Sequence, residues 1–217
     1  MRFLHCVHAE FLLVEPRVFR TRLGLALLAL GVTLVWLRAH GLEPLTVALQ
    51  AGALGAVVGA AGVVGHQNDR AALTTALTHP TIPLAVATGR WFAIVLPAAA
   101  LAIAMGVAGP AGSVAAGIMA AAAVGGFALA VVLPLGNGAA LSLFLFMAVA
   151  GTVAPERLVD LAQPGALRLA AASALELGPA LWHYRDIATG DAGAALHAIA
   201  WSGLGILVAR WLISRSR

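Results

Sequence analysis

Ser142 and His197 are the nearest this sequence comes to a nucleophile and its base. A serine becomes a nucleophile only with a histidine in hydrogen-bond reach on a neighbouring element and donors for the oxyanion. A second candidate is His5-Cys6-Val7-His8, two imidazoles and a thiol within four residues. A closed metal site needs four such ligands, and no partner cluster accompanies these, so no metal is expected. Cys6 is the single cysteine, which excludes an internal disulfide. All 13 basic side chains are Arg and none is Lys. That absence excludes a phosphate-loop nucleotide site, whose Lys reaches the β/γ-phosphates, and Schiff-base chemistry on an amine. Any work driven by ATP must therefore draw on a separate chain. No enzyme activity is expected of this one.

The elements that would carry these residues follow from composition. Of 217 residues, 61% are hydrophobic and 10% charged, and the mean hydropathy is +0.96. Soluble domains run at about 45–50% apolar and about 25% charged. So apolar a chain must use lipid as its solvent. The reading is an all-α polytopic membrane protein, a single transmembrane domain over 1–217. Six transmembrane helices are expected, at 23–38, 45–65, 91–108, 114–135, 139–154 and 194–213. The first and fifth are short for a hydrocarbon core of about 30 Å. Arg20, Arg22 and Arg38 extend the first by reaching to the interfaces. Alternating sides divide the arginines nine to four. The richer side holds both termini, 65–90 and the Gly136-Asn137-Gly138 turn, and an Arg excess marks the cytoplasmic face. Both termini are thus expected in the cytoplasm, in the inner membrane of a prokaryote, with no cleavable leader. The positive charge points to membrane orientation, not to nucleic acid.

Three segments lie outside these spans. Residues 1–21 are amphipathic: Phe3, Leu4, Val7, Phe11, Val14 and Val18 share a stripe, with His5, His8, Glu10 and Glu15 elsewhere. Such a helix lies along the interface, and Pro16 with Arg17, Arg20 and Arg22 turns the chain into the first span. In 66–90, Asn68 or Asp69 caps a short helix over 71–77, Pro80 and Pro83 stop it, and Gly89-Arg90 precedes Trp91 at the membrane surface. Pinned between two spans, that helix is suited to receive a push from a partner. The plain alternative is a solvated loop. Residues 155–193 alternate leucines with Arg157, Asp160, Arg168 and Glu176, as expected of extracytoplasmic helices dipping into the leaflet.

Within the spans, Gly52, Gly55 and Gly59, and Gly117 with Gly125, recur at three, four or eight residues, a spacing that brings helix backbones together. No Asp, Glu or Arg lies near the centre of any expected span, which disfavours an ion-driven carrier. The polar candidates there are Gln50, Asn137, Ser142, Thr152, His197 and Ser202. Rhomboid-type serine proteases also have six spans. That family places Gly two residues before its Ser, where this chain has Ala140, and its His with downstream glycines is matched only loosely by His197, Gly203 and Gly205. His197 reads better as a satisfied interfacial histidine.

Three stretches together resemble the membrane subunit of an ABC-2-type transporter. Glu10-Phe11-Leu12-Leu13-Val14-Glu15-Pro16-Arg17 is similar to that family's interfacial elbow. Asp69 to Trp91 is similar to its coupling segment, although Gln67-Asn68 is less acidic than the family's usual start. Gly178-Pro179 through Arg185, Gly190-Asp191 and the last span resembles its C-terminal region. In length the chain also resembles the compact haem-exporter membrane subunit. The resemblance implies a permease of an ATP-binding-cassette exporter, moving an apolar or amphipathic substrate. Asn68, Asp69, Arg70, Leu73 and Leu77 would contact an ATPase subunit, present in two copies and holding ATP and Mg. The elbow would be formed by Glu10, Glu15, Pro16 and Arg17. A second permease copy, or a related permease, completes the pathway, because one unit with so few internal polar residues makes a poor route. The alternative from another class is a membrane scaffold that recruits cytoplasmic partners; an adjacent ATPase gene discriminates the two.

Overall fold

The computed structural model describes residues 2–20, 22–64, 82–149 and 178–215. Among these residues the chain is all-helical, with no strand. The helices are α1 (Arg2–Arg20), α2 (Arg22–Ala39), α3 (Pro44–Val64), α4 (Pro83–Gly106), α5 (Ser113–Leu135), α6 (Asn137–Val149), α7 (Leu181–Tyr184) and α8 (Ala192–Arg215), with a 3₁₀ turn at Arg185–Thr189. Four of them, α3, α4, α5 and α8, are long and apolar enough to cross a bilayer, while 24–39 and 137–148 are shorter apolar stretches. The chain is a multi-pass helical membrane protein.

The hub is α3, which packs against α2, α4, α5 and α6. Val47, Ala51, Val57 and Ala60 on α3 are fully buried with Ile94 of α4 and Val124 and Leu129 of α5. Hydrophobic burial does not drive helices together inside lipid, so small residues that permit close backbone contact must do so. A Cβ on Gly52 would fall 2.1 Å from the Gly117 carbonyl oxygen, and one on Gly205 would fall 2.1 Å from that of Gly126. The first contact joins α3 to α5 and the second joins α5 to α8.

Several boundaries differ from the sequence expectation. Pro83 opens a helix of its own: Ile82 is extended before it (φ −87°, ψ 113°), and Pro83 sits in the first turn. A proline there surrenders no hydrogen bond, because first-turn amides have no intrahelical partner. Residues 83–90 therefore belong to the same helix as the expected span, and Gly89-Arg90 lies two turns inside α4. Likewise α1 runs on through Pro16 to Arg20, so Pro16 does not end the helix. Between α5 and α6 only Gly136 intervenes, at φ +76°, a backbone conformation that glycine adopts without a Cβ penalty. The expected helix over 71–77, with Asn68, Asp69, Arg70, Leu73 and Leu77, lies outside the described residues, as does 155–177.

Candidate functional site

The junction of α1 with α4 is built around a charge that the bundle cannot leave alone. Arg90 lies two turns into an apolar helix, and its residue is only 6% exposed. An ionised guanidinium in such surroundings needs a partner. It finds one 80 residues away: Arg90 Nε donates to Glu10 Oε1 at 2.8 Å, with both side chains nearly buried. Gly89 makes the approach possible, since a Cβ there would lie 2.8 Å from the Val7 carbonyl oxygen and 2.9 Å from Glu10 Cβ. Trp91 completes the joint on the other side, its Nε1 donating to the Ala122 carbonyl of α5 at 3.2 Å. Three consecutive residues of α4 thus tie α1 to the central helices. One donor in the pair, Arg90 Nη1, is buried without a partner.

This phases α1 differently from the expected stripe. The sides turned inward carry Phe3, Cys6, Val7, Glu10 and Phe11, at three- and four-residue spacing, whereas Leu4 is 70% exposed. Glu10 belongs to the packed face because Arg90 is there to receive it. Of the other elbow residues, Glu15, Pro16 and Arg17 lie on the same continuous helix.

Among the glycines singled out for packing, Gly52 and Gly117 meet each other's helices. Gly55 faces Ala98, Gly59 faces the Ile94 carbonyl at 3.2 Å, and Gly125 faces Val95. They form one seam along α3, α4 and α5. The Gly126–Gly205 contact continues it to α8 and was missed by the sequence reading. Gly126 with Ser202 and Gly205, small residues on two helices, was the available signal.

The opposite end of the bundle gathers the 40–43 turn, the α4–α5 loop and residues 178–191. Arg38 Nη1 donates to the Met105 carbonyl at 3.1 Å, and Arg185 pairs with Glu43 across the surface. Below them His197 uses both ring nitrogens. Trp201 Nε1 donates to His197 Nε2 at 3.1 Å, and Nδ1 lies 3.2 Å from the Tyr184 hydroxyl. An indole N–H only donates, so Nε2 accepts and the neutral ring carries its proton on Nδ1, directed at the tyrosine oxygen. Tyr184 is fully buried, and burial pushes its hydroxyl pKa well above the ordinary value. Phe127 stands edge-on to Trp201 at 5.3 Å. The i, i+4 spacing of His197 and Trp201 was legible, but the tyrosine was not.

Ser142 is not brought to His197. Its Oγ donates to the Gly138 carbonyl one turn back, at 3.1 Å, and its side chain is exposed. With both nitrogens of His197 engaged, the geometry offers no serine–histidine pair. What the described residues do offer is mechanical: a charged, closely packed joint at one end and a neutral aromatic cluster at the other. No family model matches the chain, and neither a curated protein nor a solved structure matches it.

Proposed function

We propose that this chain is the membrane-spanning permease subunit of an ABC-2-type exporter, working with ATPase subunits on the cytoplasmic side. The observation that carries the reading is the Glu10–Arg90 joint, which fastens an amphipathic N-terminal helix to the helix that leaves the 66–81 segment. A push delivered to that segment moves α4 directly, and α1 moves with it because the pair and the Gly89 contact leave no slack. Packed helices transmit such displacements as rigid bodies. In this reading α1 is the elbow, six helices cross the membrane with both termini in the cytoplasm, and Asn68, Asp69, Arg70, Leu73 and Leu77 form the coupling surface. ATP and Mg belong to the partner, as the absence of Lys requires. A second permease copy encloses the pathway, and the cargo is apolar or amphipathic.

The test is a pull-down of the native complex, with the wild type and a Asp69→Ala, Arg70→Ala variant compared for co-purifying ATPase and for coupled transport. The wild type is expected to bring down an ATPase, and the variant to lose it or to lose coupling. Unchanged assembly and transport in the variant would remove the coupling role. A wild type that captures no ATPase would favour the scaffold.

A further inference from the structure

The outer wall of α2 is set apart from α4. Leu30 and Leu34 turn in toward the core, while Leu25, Leu28, Val32 and Val35 stay more than half exposed. Between the two helices runs an open groove of about 680 Å³, bounded by Gly24, Gly31 and Val35 on one wall and by Pro97, Leu101 and Ala104 on the other. Small residues make this space: a Cβ on Gly31 would reach Leu101 only at an ordinary contact distance of 3.4 Å. The α2 wall from Gly24 to Val35 covers eleven residue steps, about 16 Å at 1.5 Å per residue. That is roughly half of a hydrocarbon core of about 30 Å, the depth of one leaflet.

One end of the groove is charged. Arg38 lies one turn beyond Val35, and its Nη1 bonds the carbonyl of Met105, which also lines the groove. A guanidinium has five N–H donors, so four remain for other acceptors. Among the described residues no carboxylate lies within ion-pair distance of Arg38. An apolar trough of one leaflet's length, ending at a cation with no carboxylate in ion-pair distance among the described residues, is complementary to one class of molecule. We propose that the α2–α4 groove binds a single phospholipid with a net anionic head group, one acyl chain in the trough and the head group on Arg38. This site is independent of the exporter reading, since neither ATPase nor transport enters it.

The experiment is native mass spectrometry of the full chain after equilibration with an equimolar mixture of palmitoyl-oleoyl phosphatidylglycerol and phosphatidylcholine. The wild type is expected to retain one phosphatidylglycerol per chain, favoured about fivefold over phosphatidylcholine, the ratio that one partly exposed ion pair supplies. Arg38→Gln should erase that preference while still retaining lipid. Gly31→Leu, which fills the trough, should reduce retention of both lipids, and Ala104→Leu does the same from the opposite wall if Gly31→Leu fails to fold. Equal retention of the two lipids by the wild type, or retention indifferent to Arg38→Gln and to the filled groove, overturns the proposal. So does efficient disulfide cross-linking of Val32→Cys between two copies in a Cys6→Ser background, which would seat a second chain where the lipid is placed.

Discussion

Glu10–Arg90 and Glu43–Arg185 are both carboxylate–guanidinium pairs joining elements distant in sequence, yet they stand at opposite ends of the bundle in opposite surroundings. The first has side chains 10% and 8% exposed, the second 51% and 40%. A buried pair gains strong attraction but loses hydration on both ions, so its net contribution over an apolar replacement is small. Removing one partner is different, because the survivor is stranded. An exposed pair strands nothing, since water takes over either ion. Chemistry alone therefore does not tell the two apart; their surroundings decide which is a joint and which is a surface contact.

The largest effect follows from that contrast. Arg90→Leu or Glu10→Leu alone is expected to destabilise the folded chain by about 3–5 kcal/mol, the cost of an uncompensated buried charge. The double replacement should recover most of the loss and approach the wild type. Unfolding in mixed micelles, carried through the double-mutant cycle, measures both. Additive losses would show that the ions do not act as a pair and that α1 is held by its apolar contacts alone.

Why that pair escaped a reading of the sequence is physical. Glu10 fits the polar side of an amphipathic helix, and Arg90 fits the snorkelling cation expected just before a span. Each has a satisfactory local explanation, and the fact linking them is tertiary. The start of α4 compounds this: a span expected from Trp91 leaves Arg90 outside it, whereas the helix opens at Pro83 and carries Arg90 two turns inside. Features that depend on composition over twenty residues were legible, and so the apolar helices α3, α5 and α8 fall close to their expected places, while α4 matches only toward its C-terminal end. The glycine positions were legible as small residues at helical spacing, but not which helix each would meet. Tyr184 gave no signal at all, because a buried hydroxyl is recognised only once its acceptor or donor is in place.

An intermediate effect separates the neutral cluster at the far end from either ion pair. Tyr184→Phe removes the hydroxyl that meets His197 and is expected to cost about 1 kcal/mol near neutral pH, the net worth of one hydrogen bond. Its pH dependence carries the sharper sign. Burial raises the folded-state pKa of Tyr184 above the unfolded value of about 10, so the folded chain holds that proton more tightly. Stability linked to this group is intact below pH ~10 and falls at up to about 1.4 kcal/mol per pH unit above it. The variant lacks that loss, so the two unfolding free energies should converge near pH 11. A gap that stays constant between pH 8 and pH 11 would show that the hydroxyl reaches water.

The smallest effect belongs to the exposed pair, and it completes the contrast. Glu43→Gln keeps the side-chain volume and an acceptor while removing the charge that faces Arg185. With both partners about half exposed, the expected loss is about 0–1 kcal/mol. Whatever loss appears should shrink as salt is raised toward 1 M, where the screening length falls to about 3 Å. The buried pair should show no comparable salt dependence, because ions in solution do not enter between α1 and α4. Measuring Glu10→Gln and Glu43→Gln side by side at 0.05 M and 1 M salt tests this directly. If both losses respond alike, the joint is open to water, and α1 is not rigidly fastened to α4.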